Sequence, residues 1–201
     1  MTEDKNAVKP AEAGEEGSAG RALLGPAPLL AGEDATAYES LLSHCRRAVR
    51  PKDFVEEIWV RDIVDLQWEA MRCRRMVLEL MRSKARDGLD QVLRPYLDQP
   101  MRSQLVKRWA AGDREAIRIV DGHLKRVGLE KRVISEQTAL LQLDELERLE
   151  RMIAQAEGRR NAILREIERH RAAVAQRLAQ ATREIKDAEF TEIAPPQEAA
   201  A

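Results

Sequence analysis

The chain has 201 residues, of which 3% are aromatic and 34% charged, with a formal net charge of −1. So few aromatic side chains exclude a thick globular core or a packed sheet, and the abundance of Ala, Leu, Glu and Arg favours long solvated helices. The charge is uneven: acids outnumber bases seven to three over 1–34 and four to none over 187–201, which leaves 35–186 at +7. A positive body with acidic tails suits an anionic partner, or else reflects Arg and Glu interleaved on helix surfaces.

Residues 1–31 read as a polar tail followed by an apolar strap. The tail, 1–21, has no apolar period and is expected to be disordered. The strap, ALLGPAPLLAG, carries Leu23, Leu24, Leu29 and Leu30, which would be costly to leave wet, although Gly25, Pro26 and Pro28 also suit a linker. No apolar leader stands at the start, and no run approaches the roughly 18 apolar residues of a membrane span. Cys45 and Cys73 form no metal-type or redox-type pair. A reduced, cytoplasmic protein without a membrane contact is the expectation.

The N-terminal helical region spans 32–132. Its first helix starts at Asp34 or Thr36, shows an apolar face of Leu41, Leu42, Cys45 and Val49, and stops before Pro51. A second helix opens on a capping box, Asp53 with Glu56 three residues on. Its stripe is Val55, Trp59, Ile63, Leu66, Ala70, Cys73, Val77 and Leu80, at steps of three and four, and Ile58, Val60, Val64, Met71 and Leu78 widen it. Trp68 falls among charged residues, where it is either an exposed contact or covered by the strap. Gly88 should weaken this helix and Pro95 should kink or end it. Two short helices follow over 98–128, joined at Ala111-Gly112-Asp113, with Pro100 suited to the first helical position. They read as a helical hairpin. The other reading is a helix-turn-helix presenting Arg114, Arg118 and Lys125, with Asp121 on the same face to repel phosphate.

One long coiled-coil-like helix is predicted over 133–188, uninterrupted at Gly158, before a polar tail at 189–201. Its seam is Leu146, Leu149, Ile153, Ala156, Arg160, Ile163, Ile167, His170, Val174, Leu178 and Ile185. Such spacing keeps two helices in register. Arg160 either fixes register or snorkels from an edge. The second-helix stripe spans about 39 Å and the last one about 64 Å at the α-helical rise, so pairing within one chain would leave roughly 25 Å of stripe unpaired. The fold class is therefore all-α: long antiparallel helices in a hairpin or coiled coil, with short helices between.

Chemistry is sparse. Glu166 and His170, one turn apart, can offer two metal ligands, but a dimetal bundle site needs a second such motif, which is missing. A seam His bonded to Glu166 or to a carboxylate on another helix is the simpler reading. Arg159, Arg165, Arg169 and Arg171 suit phosphate contacts, or salt bridges to the Glu residues among them. There is no Gly-rich phosphate loop or nucleophile motif, so no catalytic residue, cofactor or metal is assigned.

Three segments, LLAGEDATAYESLL (29–42), PKDFVEEIWVRDIVDLQWEAMRCRR (51–75) and LERMIAQAEGRRNAILREIERHR (149–171) followed by DAEF (187–190), together resemble an uncharacterised family of small helical bacterial proteins. The resemblance implies a bacterial, cytoplasmic protein and carries no activity, ligand or catalytic residue. The stretch at 108–129 is loosely similar to a helical segment of phage-associated DNA-packaging and recombination proteins. The expected role is a helix-pairing interaction or scaffold protein that self-associates or binds another helical protein. The alternative is a sequence-nonspecific DNA-binding accessory protein.

Overall fold

The computed structural model describes residues 24–189, which form six α-helices and, among the described residues, no strand. They are α1 (Ala35–Val49), α2 (Phe54–Leu93), α3 (Gln99–Ala110), α4 (Arg114–Arg126), α5 (Arg132–Leu141) and α6 (Leu143–Glu189). The tail expected to be disordered, Leu23 of the strap and residues 190–201 lie outside the described residues. No described helix is long and apolar enough to cross a membrane. The long helices α2 and α6 each run through two compact units, one made of residues up to 64 and from 160, the other of 65–159.

The first unit holds α1, the start of α2 and the end of α6. Asp34 caps α1 by accepting from the amides of Thr36 and Ala37, and Arg50 ends it in the left-handed region at φ 51°. Tyr38 and Leu42 of α1, Val60, Ile63 and Val64 of α2 and Ile167 of α6 are buried here. Arg46 of α1 pairs with Glu57 of α2 at 2.6 Å, and Arg61 lies over the Tyr38 ring. In the strap, Leu24 and Leu29 are half-buried and Leu30 is exposed, so it is covered in part rather than fully docked.

The second unit packs α3, α4 and α5 around the end of α2. Its core joins Leu89 and Leu93 of α2 to Leu105 and Val106 of α3, Ala116, Val120 and Leu124 of α4, and Ile134 of α5. The α3–α4 connection turns on Gly112, at φ 79°, a conformation that side chains with a Cβ resist. Asp113 then caps α4 by accepting from the amides of Glu115 and Ala116. Trp68 is buried, with Arg75 stacked over its ring. It is thus not the exposed contact that its place among charged residues allowed.

One expectation for the long helices needs correction, and Gly88 proves to have a packing role as well. The last helix is not continuous from Val133: Gln142 leaves helical geometry, at φ −116° and ψ 24°, and separates α5 from α6. From Leu143 the helix is uninterrupted, through Gly158, to Glu189. Gly88 does not merely weaken α2. A Cβ there would overlap Thr138 Oγ1 and lie 2.7 Å from the Ile134 carbonyl oxygen. The missing side chain lets α5 sit down on α2, and the break at Gln142 lets it turn there.

Candidate functional site

In the first unit the start of α2 meets α6 through a four-residue hydrogen-bonded clasp of Asp53, Glu56, His170 and Arg171. Asp53 Oδ1 accepts from the Glu56 amide at 2.9 Å, and Glu56 Oε2 accepts from the Lys52 amide at 3.0 Å. The capping box predicted from Asp53 and Glu56 therefore forms, with the return bond shifted by one residue. The same carboxylates then reach α6. Arg171 donates from Nε and Nη2 to the two oxygens of Glu56, at 2.9 and 2.7 Å. Its Nη2 also donates to the carbonyl of Val49, at 2.8 Å, in the last turn of α1. One guanidinium thus ties the end of α1, the start of α2 and α6 together, satisfying a carbonyl that the helix end leaves without a partner.

His170 completes the clasp. Its Nε2 lies 2.7 Å from Asp53 Oδ2, and its ring meets Trp59 edge-on at 5.3 Å between centroids. Of the two readings for this histidine, the structure selects the carboxylate on another helix. Glu166 instead pairs with Arg169 at 2.9 Å. The amide of Glu56, and then His170, hold the Asp53 carboxyl below the usual carboxylate range. The Arg171 guanidinium holds the Glu56 carboxyl low, although its burial pushes the other way. Asp53, Glu56 and His170 each place a potential metal-ligand atom within 4.8 Å of the others. The donor set is a poor match for a dication, because the guanidinium occupies both Glu56 oxygens and adds positive charge.

Beyond the clasp, α6 changes character. Its seam residues Leu149, Ala156 and Ile167 are buried, and Leu146, Ile153, Arg160, Ile163 and His170 are half-buried. Then Val174 is 46% exposed, Leu178 68% and Ile185 61%. These three side chains continue the same stripe by helical spacing past the level at which α2 begins at Phe54, and Val174 and Leu178 border a small cavity with Lys52, Asp53 and Glu56. A second apolar region lies in the other unit, a groove of about 710 Å³ lined by Met76, Leu80, Leu149 and Met152, with Glu79 and Glu145 at its edge.

The proposed phosphate-contacting residues fall in different settings. Arg171 is committed to Glu56 and the α1 carbonyls, and Arg169 to Glu166. Arg159 and Arg165 are exposed on α6, and Arg114, Arg118 and Lys125 on α4. The sequence reading placed His170 on the seam but did not find Asp53 and Glu56 as its partners. The capping box was the available signal, since its carboxylates sit at the one end of α2 where the seam of α6 still runs on.

The fold and clasp together define an all-helical protein whose antiparallel long helices are tied by a clasp built around one buried carboxylate, Glu56. Comparison with known proteins adds nothing more specific: no family model, no curated protein and no solved structure matches this chain.

Proposed function

We propose that this protein is a helix-pairing interaction or scaffold protein whose partner surface is the last four turns of α6. The observation that supports this is the abrupt exposure of the seam after His170, at Val174, Leu178 and Ile185. The first part of the seam is covered by the chain itself. The last part keeps the same apolar periodicity and is largely exposed, at a cost of about 25 cal/mol for each Å² left wet. A partner helix removes that cost and gains its own burial. The setting proposed is the cytoplasm, in keeping with two cysteines that form no disulfide.

Nucleic-acid binding draws less support, because Arg169 and Arg171 already have carboxylate partners. Light scattering of the full chain over a concentration series tests the proposal. Association is expected for the wild type and should be lost in Leu178→Glu. Met152→Glu, in the groove of the other unit, should associate as the wild type does. Equal behaviour of the wild type and Leu178→Glu would overturn the assignment.

A further inference from the structure

Resting on that reading, we infer that the occupant of the bare stripe is the same stripe of a second copy, run antiparallel. Val174, Leu178, Ala181 and Ile185 follow one another at steps of four, three and four, the pattern of a two-helix seam. In an antiparallel pair centred between Ala179 and Gln180, Val174 lies opposite Ile185 of the second copy. Leu178 lies opposite Ala181 of the second copy, and symmetry repeats both layers. Each layer thus sets a larger side chain against a smaller one, which lets the two helices approach evenly along their length.

Charge points to the same register. Arg177 and Glu184 flank the seam on one side. Antiparallel pairing brings Arg177 of each copy beside Glu184 of the other, twice by symmetry. Parallel pairing sets Arg177 against Thr182 and leaves that match unused. Among the described residues Arg177 has no carboxylate partner, while Glu184 accepts only from Gln180, at 3.0 Å.

The existing interface gives the third argument. In the first unit α2 already packs on α6, with Asp53 and Glu56 at the level of His170 and Arg171. The two helices run antiparallel, since Asp53 meets His170 while Arg74, further along α2, meets Glu157. The second copy's α6 takes the place along the seam that lies ahead of the first turn of α2, and runs in the same direction as α2. The covered seam is thereby extended without a change of packing geometry. Four turns of contact make a small interface, so the association is expected to be micromolar or weaker.

Sedimentation equilibrium of the full chain tests this through charge reversal. Arg177→Glu alone and Glu184→Arg alone should each dimerise about tenfold more weakly, since two attractive contacts become repulsive in each case. An equimolar mixture of the two variants should form a heterodimer as tight as the wild-type homodimer, because every facing pair is again opposite in sign. Circular dichroism of each variant confirms that the helices are intact, and both positions lie on the exposed face of α6. A wild-type dimer whose variants do not rescue one another overturns the antiparallel register while leaving the helix-pairing function in place. A wild-type chain that stays monomeric up to millimolar concentration overturns both.

Discussion

Glu56 is 1% exposed and still ionised, because Arg171 and the Lys52 amide supply what water would have given it. Burial of a charge in that form is tolerated only while its partner is present. The Asp53 and Glu56 carboxyls both titrate below their unfolded values. The clasp therefore stabilises the fold in full above about pH 4 to 5, the ordinary carboxylate range, and loses that contribution as the pH falls through the lowered folded values. Glu56→Gln is expected to cost about 2 kcal/mol at pH 7, the scale of hydrogen bonds to a charged group. Denaturant unfolding at pH 7 and pH 3 checks the linkage: the gap from wild type should narrow at pH 3, and an equal gap at both would contradict it. Glycine gives a second contrast. Gly88→Ala forces a Cβ into Thr138 and the backbone of α5, and should cost about 2 kcal/mol, as overpacking does. Gly158→Ala meets nothing within 4 Å and should be neutral or stabilising by up to about 1 kcal/mol. Thermal unfolding of the two variants should show opposite shifts.

At the scale of elements, most helix limits were legible from caps and breakers. Asp34, Asp53, Pro95, Gly112, Asp113 and Gly128 each mark a boundary that the structure reproduces within a residue or two. The joint at Gln142 was not legible, because no proline or glycine stands there and the apolar period runs on across it. What bends the chain is tertiary: α5 is drawn onto α2 by Ile134 and Thr138 at Gly88. Trp68 stayed open between an exposed contact and a covered position for a related reason, since a place among charged neighbours on one helix says nothing about what another element brings over it. The α3–α4 hairpin should owe its stability to its core rather than to its surface pairs. Leu124→Ala, at 2% exposure, is expected to cost about 3 kcal/mol. Arg108→Ala, which removes solvent-screened pairs with Asp113 and Glu115, should cost much less than Leu124→Ala. Chemical denaturation of both variants checks the order, and a larger loss for Arg108→Ala would contradict it.

For the whole molecule, sequence alone carried the mismatch between a short stripe on α2 and a long one on α6. It did not carry where the covered part ends. That point depends on the register between α2 and α6, and the register is fixed by Asp53 and Glu56 meeting His170 and Arg171. No single-helix pattern contains that pairing, so the clasp became visible only once the helices were side by side. The consequence is a protein in which Val174, Leu178 and Ile185 stay largely exposed beyond the clasp, the surface proposed above for another helix. Hydrogen exchange of the backbone amides over 174–186, followed as a function of protein concentration, tests this most directly. Exchange there should slow markedly as the concentration rises through the association range, while amides around Ile167 stay unchanged. Exchange over 174–186 that is equally fast at every concentration would contradict the account.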